Sequence, residues 1–353
     1  MTAAFVVADV HLANFKQYGG ETKAGLNERA LQVLGTLEAA WRLARPSHTF
    51  VVAGDLFDSD RPTPQLIAAA MGEDVADNRV FILGNHDATS SRVGGDNAFA
   101  PFRSQAGNTV VDAEPRTVAV GSYRDRFDML CVPFGFRVTE LVDFERSSAP
   151  LVVVFHAGIK DSSTPSYLRT SEEAIDVDEL TAWMKEHDVC AAVAGDWHTH
   201  RAWPARNIFQ VGALCPTGWQ NPGIVEYGSV LKLTRDNETV RVERLVVPGP
   251  RFITVPNEDE LRATIESVDY SHHARKLYVR ASFPPSKTVW PENVHIEHQD
   301  EVETKQDRVT ATADSIREAA TLVEAVEQYA QKEVRDEAKR LHLVREITRR
   351  LGL

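Results

Sequence analysis

The sequence predicts an α/β domain in which helices cover a β-sheet, and two patterns favour that class. Five apolar runs rich in β-branched residues occur before residue 200, each with the length of a buried strand. Helical stretches lie between them, most clearly at residues 27–43, where Leu31, Leu34 and Leu37 recur at helical intervals and Pro46 ends the pattern. Such alternation is typical of a sheet flanked by helices. The predicted strands are residues 5–8, 50–53, 80–83, 151–155 and 189–194.

The pattern changes in the next part of the chain. Residues 229–234 and 240–247 alternate apolar and polar side chains, and the polar residues 235–238 between them predict a hairpin. Beyond Pro248-Gly249-Pro250, the sequence predicts a small second unit. Its expected elements are a strand at 252–255, a helix at 259–267 and a strand at 276–283.

The C-terminal part is predicted to be a polar linker followed by helices. The capping-box pattern Ser315-Ile316-Arg317-Glu318 opens a helical segment whose apolar positions run from Leu322 to Leu351. An apolar stripe without its own core packs on something, either the main domain or another protein. The predicted division is a main domain at 1–250, a small unit at 251–296, a linker at 297–313 and the helical segment at 314–353.

Composition excludes several classes of protein. With 43% hydrophobic and 25% charged residues among 353, the chain is neither collagen-like nor wholly disordered. Its apolar runs are too short for a membrane span, no secretory signal is visible, and we expect no membrane partner. Three cysteines without metal-type spacing indicate reduced thiols and a cytoplasmic location. The net charge of -12 argues against a general electrostatic grip on nucleic acid, although aspartates that hold cations can create a local positive site.

Polar motifs follow each of the five predicted strands. Carboxyl ends of strands in an α/β sheet meet at one edge, where ligands bind. Five of the twelve histidines belong to these motifs. The motifs are Asp9-Val10-His11, Gly54-Asp55-Leu56-Phe57-Asp58, Gly84-Asn85-His86-Asp87, His156-Ala157-Gly158 and Gly195-Asp196-Trp197-His198-Thr199-His200.

Seven side chains in these motifs are candidate metal ligands: Asp9, His11, Asp55, Asn85, His156, His198 and His200. Seven are too many for one structural zinc, which takes four, so the pattern predicts two ions. Mixed imidazole and carboxylate ligands favour manganese, iron, zinc or cobalt over magnesium. The alternative is that these are buried polar residues satisfied by loop backbone. Asp58 and Asp196 remain open between a role in the site and the capping of a turn.

Two neighbouring divalent ions suit hydrolysis of a phosphate ester, because together they neutralise the attacked and the leaving oxygens. His86 is predicted to be catalytic, presenting its imidazole to the substrate as general acid or transition-state stabiliser. Asp87 is predicted to act with it by fixing its tautomer, and the alternative is that Asp87 is only an acid in a turn. Phosphate ester hydrolysis is therefore the leading reaction class.

In this order the motifs resemble the calcineurin-like metallophosphoesterase superfamily, over roughly residues 5–200. Within it, Gly54-Asp55-Leu56-Phe57-Asp58 followed by Arg61-Pro62 resembles SbcD-type nuclease subunits of DNA double-strand-break repair and phage recombination complexes. Residues 212–219 and 249–252 match the same group. This sequence departs from the group at Asp58, where archaeal and eukaryotic members have His, and at Trp197, where the family often has Gly.

The resemblance implies a sandwich of two β-sheets flanked by helices, with a small α/β cap that faces DNA. It implies two divalent ions, taken to be Mn²⁺, one held by Asp9, His11, Asp55 and His200 and the other by Asp55, Asn85, His156 and His198. His86 takes the non-ligand catalytic role. The implied partners are DNA, a coiled-coil ATPase of SbcC type bound by residues 314–353, and a second copy of the chain. The location is the cytoplasm, or the host cytoplasm for a phage protein.

Two other functions remain open. The first is a stand-alone phosphoesterase acting on small molecules or phosphoproteins, and the second is a scaffold that keeps the fold without catalysis. The complete ligand set argues against the scaffold. The C-terminal stripe and the cap-like insertion favour a DNA exonuclease, with endonuclease activity left open, because a small-molecule enzyme needs neither feature.

Overall fold

The structure is a computed structural model, and it describes ten stretches of the chain. They are residues 2–44, 47–72, 78–89, 97–169, 171, 173–216, 218–219, 228–268, 276–285 and 290–298. The helical segment predicted at 314–353 and most of the predicted linker lie outside the described residues. The described chain forms two compact units, one of residues up to 252 with 268–278, the other of residues 253–267 with those after 278.

The strands and helices of the described residues are numbered here in chain order. The strands of the N-terminal part are β1 (Ala3–Val7), β2 (Thr22–Lys23), β3 (Leu26–Asn27), β4 (Thr49–Ala53), β5 (Asn78–Ile82) and β6 (Asn108–Val111). The next are β7 (Arg116–Val120), β8 (Phe127–Val132), β9 (Leu151–His156), β10 (Ile159–Lys160), β11 (Ile175–Asp176), β12 (Val189–Gly195), β13 (Arg201–Trp203) and β14 (Ile208–Gln210). The last are β15 (Ser229–Asp236), β16 (Thr239–Val246), β17 (Arg251–Val255), β18 (Leu277–Ala281) and β19 (Val294–His298). The α-helices are α1 (Glu28–Ala44), α2 (Pro64–Met71), α3 (Ser166–Arg169), α4 (Val177–Glu186) and α5 (Glu258–Ser267).

The first unit is built on two six-stranded sheets. The first sheet has the order β16-β15-β1-β4-β5-β6, in which β1, β4, β5 and β6 run parallel. The second has the order β13-β14-β12-β9-β8-β7, with β8, β9, β12 and β14 parallel. Parallel strands buried on both faces need continuous apolar runs, and β4 and β9 are buried at every position.

Three apolar clusters show how the layers stack. The central cluster joins the facing sides of the two sheets through residues such as Val6, Val51, Met129, Val154 and Val193. A second cluster packs α1 on the outer face of the first sheet, and a third packs α4 on the outer face of the second sheet. The resulting order of layers is helix, sheet, sheet, helix, so the predicted sandwich of two sheets flanked by helices is confirmed.

Helices α2 and α4 each begin at a residue whose side chain accepts hydrogen bonds from the first turn. At α2 the Thr63 hydroxyl accepts a hydrogen bond from the Leu66 N–H, and Pro64 occupies the first turn, where its missing N–H costs nothing. At α4 the Asp176 carboxylate accepts from the N–H groups of Asp178 and Glu179. None of the helices that the structure describes has both the length and the apolar character of a membrane span.

The five predicted strands are present as β1, β4, β5, β9 and β12, the predicted helix is α1, and the hairpin is β15–β16. Sequence reasoning missed β7, β8 and α4, although β8 is a fully buried six-residue run. In the second unit it also missed β19, whose last two residues, Glu297 and His298, fall in the stretch predicted to be linker. That strand alternates polar and apolar side chains too briefly to stand out from its polar surroundings.

Candidate metal centre

The loop after β1 lies along the loop after β4, joined by backbone hydrogen bonds. The N–H groups of Val10 and His11 both donate to the Asp55 carbonyl, at 2.9 and 3.0 Å, and Leu12 donates to Leu56 at 2.9 Å. Asp9, His11 and Asp55 have φ values of 52°, 48° and 53°, in the left-handed region that non-glycine residues rarely adopt. Strain of this kind is concentrated at functional sites, where surrounding contacts hold it in place.

One group of converging side chains consists of Asp9, His11 and His198, whose ligand atoms lie within 4.8 Å of one another. The two Nε2 atoms of His11 and His198 are 3.0 Å apart. The His11 Nδ1–H donates to the Asp58 carboxylate at 3.1 Å, so its Nε2 is the nitrogen left to bind an ion. Two imidazole nitrogens directed at each other and beside a carboxylate are arranged as ligands of one cation.

A second group consists of Asp9, Asp55 and His156, also within 4.8 Å. The His156 Nδ1–H donates to the Ala53 carbonyl at 2.8 Å, which directs Nε2 into the site. That Nε2 lies 2.9 Å from the Asn85 amide oxygen and 3.4 Å from Asp55 Oδ2. The amide oxygen, the carboxylate and the imidazole nitrogen therefore meet at one point.

Asp55 lies between the two groups. Its Oδ2 is 3.4 Å from the His156 Nε2 and 3.8 Å from the His11 Nε2, while its Oδ1 accepts a hydrogen bond from the His86 N–H at 2.9 Å. Metal ions in two-metal sites lie about 3.5–4 Å apart, a distance that one carboxylate can bridge. The position predicted for Asp55 as a shared ligand agrees with this geometry.

The final histidines are arranged differently from the ligand sets that the family resemblance implied. His198, expected beside Asn85 and His156, lies against His11 and belongs to the group with Asp9. His200, expected in that group, is in none of the three converging groups found among the described residues. Its Nδ1–H donates to the Val211 carbonyl at 3.1 Å, an arrangement that leaves Nε2 as the potential ligand atom.

His86 lies at the exposed side of the site. Its side chain is 43% exposed, and its ring meets the His11 ring edge-on, with the centroids 4.8 Å apart. Its Nδ1 lies 3.3 Å from the Asp58 carbonyl oxygen and 3.8 Å from the Asp58 carboxylate. A ring that donates from Nδ1 to that carbonyl leaves Nε2 for the substrate, and the non-ligand role of His86 stays a prediction.

Asp87 has contacts other than those expected of it. Its carboxylate is fully buried and accepts from the N–H groups of Phe57 at 3.0 Å, Gly84 at 3.2 Å and Leu56 at 3.3 Å. It therefore ties the loop after β4 to the loop after β5. The predicted role in fixing the His86 tautomer is corrected accordingly, since the residue against the His86 ring is Asp58. Burial, with the charge of Asp55, raises the pKa of Asp87 to about 7.

Two acids that sequence reasoning left open, Asp58 and Asp196, belong to the site. Asp58 joins His11 and His86 in a third converging group. The Asp196 N–H donates to both oxygens of Asp9, at 3.1 and 3.2 Å, and its own carboxylate lies 4.0 Å from His156 Nε2. In the sequence, these two aspartates were marked only by their position within a motif. Position alone does not distinguish a site residue from an aspartate that caps a turn.

The pKa shifts of the buried acids and imidazoles indicate that the site requires compensating cations. Burial raises the pKa of Asp9 well above its ordinary value, and the carboxylates of Asp55 and Asp196 raise it further, against the effect of His156. Burial also acts to raise the pKa of Asp55, but His156 and then His11 outweigh it and lower that pKa to about 2. Buried like charges are costly unless a cation compensates them. Burial, followed by the charge of His11, lowers the pKa of His198 to about 4, which keeps its imidazole neutral and able to bind a metal.

Glycines make room for these ligands. A Cβ on Gly54, whose φ is +89°, would occupy the space of the His156 ring, and a Cβ on Gly84 would collide with the Asp55 carboxylate. Gly54 and Gly84 are therefore required by close approach between loops, in the first case from the two sheets and in the second within the first sheet.

Taken together, the carboxylates, imidazoles and amide oxygen fit a pair of divalent cations, with Asp55 shared. These donors sit at the carboxyl ends of β1, β4, β5, β9 and β12, in a two-sheet sandwich. The fold and the donor set define a metal-dependent hydrolase site. The family model of calcineurin-like phosphoesterases matches residues 4–200, more than half of the chain, and the chain belongs to that family.

Solved structures with a similar fold include two chains described as 5'-nucleotidases. The one from Staphylococcus aureus, in complex with alpha-ketoglutarate, is 17% identical with a TM-score of 0.42, over 70% of this chain and 54% of the other. The one from Thermus thermophilus is 17% identical with a TM-score of 0.34, over 69% and 54%. A Vps29 from Entamoeba histolytica complexed with zinc is 13% identical with a TM-score of 0.28, over 69% and 98%.

The chain spans about half the length of the two nucleotidase chains. No curated protein matches it. At these identities, and with TM-scores below 0.5, the likenesses say nothing about substrate.

Proposed function

We propose that the chain hydrolyses phosphodiester bonds of DNA, as the nuclease subunit of a recombination and repair complex of SbcC/SbcD type. The observation that carries the hydrolytic part is the position of Asp55, whose Oδ2 lies 3.8 Å from the His11 Nε2 and 3.4 Å from the His156 Nε2. A carboxylate shared between two ligand groups is what a two-metal phosphodiesterase requires.

The residues of the site have two roles, which are binding of the metal ions and transfer of a proton. Asp9, His11 and His198 would hold one cation, Asn85 and His156 would hold the other, and Asp55 would be shared between them. Manganese is the proposed metal in both. When bound, the pair would supply Lewis-acid polarisation of the phosphoryl group. His86, at the exposed side of the site, supplies a proton to the leaving oxygen from Nε2, while Asp58 holds the ring from its Nδ1 side.

DNA as the substrate is supported by the SbcD-like motif from Gly54 to Asp58 with Arg61-Pro62 after it. The net charge of -12 gives the chain alone little general attraction for a polyanion, so a partner that contributes to DNA binding is part of the proposal. That partner is a coiled-coil ATPase bound through residues 314–353, and the assembly is a cytoplasmic one containing two copies of the nuclease chain.

The test compares two substrates of the purified chain with Mn²⁺. Labelled linear duplex DNA should be degraded, and at equal concentration of phosphodiester it should be preferred over a chromogenic aryl phosphodiester. Asp55→Asn, which weakens the shared ligand, and excess chelator should both abolish cleavage.

The net charge favours a second candidate, a stand-alone phosphoesterase for small molecules. Hydrolysis of the aryl ester with DNA left intact would establish that candidate and reject the nuclease. If Asp55→Asn kept both activities, the two-metal site itself would be rejected.

A further inference from the structure

A cavity of about 290 Å³ adjoins the metal centre on the His156 side. Its lining includes His156 and Asp196 from the centre and, away from it, Phe134, Phe136, Arg137 and Ile175. The cavity and the centre are thus adjacent, since His156 and Asp196 belong to both. His86 lies at the other end of the centre, against His11 and Asp58.

The walls of the cavity combine aromatic faces with the charges of Arg137, which has an acidic partner, and of the exposed Glu173. Phe134 and Phe136 follow β8 in a turn whose Phe134 N–H donates to the Leu83 carbonyl at 2.9 Å, next to the loop that carries Asn85. The Arg137 guanidinium is held by the Glu179 carboxylate at 2.9 and 3.2 Å. An aromatic wall with fixed polar groups at its rim suits a flat, partly polar ring system better than an aliphatic or a second phosphate group.

The volume limits what can enter. Ligand cavities of proteins usually measure about 300–1,000 Å³, so this one accommodates a single nucleoside and not a stacked base pair. A nucleotide that enters must leave its duplex neighbours, and the free-energy cost of doing so is least where it is already unpaired.

We propose that this cavity is the subsite for one unstacked nucleoside, the one attached to the scissile phosphate on the side away from His86. The proposal rests on the phosphodiesterase function proposed above and specifies which part of the substrate lies where. The base stacks on Phe134, while the phosphate reaches the centre past His156 and Asp196. The substrate class that follows is a polynucleotide whose scissile nucleotide is unpaired.

Phe134 is the residue to test, because Phe136 packs against the cluster under α4, whereas Phe134 is in none of the three clusters of the described residues. The experiment measures kcat/KM with Mn²⁺ for wild type and Phe134→Ala on two single-stranded oligonucleotides. One has a normal base at the scissile position and the other an abasic residue. Tyr123→Ala is the matched control, because it removes a 95% exposed aromatic from the loop between β7 and β8, at the end of β8 opposite to Phe134.

On the normal oligonucleotide, Phe134→Ala should lower kcat/KM about 5- to 100-fold, the range for loss of one base–aromatic stack. Wild type should lose a similar factor on the abasic substrate, and Phe134→Ala should then lose little more, because both changes remove the same contact. Tyr123→Ala should match wild type on both substrates.

Four results would count against the subsite. Equal wild-type kcat/KM values on the two substrates would place the base elsewhere and leave the nuclease function intact. The same conclusion would follow if the fold-losses from Phe134→Ala and from the abasic residue multiplied in full when combined. A fall in the unfolding midpoint of Phe134→Ala, with equal loss on both substrates, would assign Phe134 to folding and reject the stacking role. Failure of the wild type to cleave any oligonucleotide would reject the proposed function and the subsite together.

Discussion

Asp55 lies between the two ligand groups, because its Oδ2 is near a ligand nitrogen of each, the His11 Nε2 at 3.8 Å and the His156 Nε2 at 3.4 Å. Asp9 is the carboxylate that belongs to both groups. The backbone carbonyl of Asp55 also accepts from Val10 and His11, and the Oδ1 of Asp55 accepts from the His86 N–H. One residue therefore sets the spacing of the ligands and the position of the loop that carries His86. Its left-handed φ of 53° is the local cost of this arrangement.

His86 is predicted to act on the substrate without holding a metal. His86→Ala should lower kcat about 100- to 10,000-fold, the usual contribution of a positioned acid or base. Metal stoichiometry, measured by elemental analysis after dialysis, should remain that of wild type, because the ligand atoms of the other residues are untouched.

The control for that prediction is His156→Ala, which removes a ligand and should lower both activity and metal content. A His86→Ala protein that loses its metal would show that His86 is itself a ligand, in keeping with its place in the group with His11 and Asp58.

At the scale of elements, the site exists because strands from two sheets end at the same edge. Loops after β1, β4 and β5 come from the first sheet, and loops after β9 and β12 from the second. Asp87 ties two loops of the first sheet together, and the Asp9–Asp196 hydrogen bonds tie the first sheet to the second. Each ligand is thus placed by contacts between loops as well as by its own strand.

Gly84 provides a test of this packing. In Gly84→Ala the new Cβ would collide with the carboxylate and the backbone N–H of Asp55, so the shared ligand must move. We expect a loss of about 1–3 kcal/mol in unfolding free energy, typical of overpacking, and weaker metal binding in a titration followed by calorimetry.

Gly249→Ala is the matched control, because its Cβ would crowd the Thr36 hydroxyl, which is not a ligand. It should lower stability without changing metal affinity. Equal metal affinity in Gly84→Ala and wild type would mean that the position of Asp55 does not depend on the neighbouring loop.

At the scale of the whole molecule, the apolar layer between the two sheets holds the halves of the site together. Residues of both sheets contribute to it, and 20 buried side chains form it among those described. Truncations in this layer would move one set of ligands relative to the other, as well as lower the free energy of unfolding. The site should therefore be sensitive to core substitutions far from any ligand.

The proposed ATPase partner gives a prediction at the same scale. Removal of residues 314–353 should leave basal Mn²⁺-dependent cleavage unchanged and eliminate co-purification with a co-expressed coiled-coil ATPase of SbcC type. In the untruncated chain, the proposed contact with the ATPase buries the apolar positions from Leu322 to Leu351. Undiminished co-purification would reject the segment as the binding site, and loss of basal cleavage would indicate that it packs on the main domain instead.

The sequence by itself determined the class of fold and the strands that precede the motifs, because apolar runs are local patterns. It also predicted the donors, from the polar residues that follow those runs. The sequence did not determine which donors belong to which of the two ligand groups. The contacts of His198 with His11, of Asp87 with the Phe57 N–H and of Asp58 with His86 join residues 28 or more positions apart. The first forms only when the two sheets pack face to face, and the other two form only when β4 and β5 lie side by side in the first sheet. Such contacts leave no periodic trace along the chain, so the tertiary structure alone decides them.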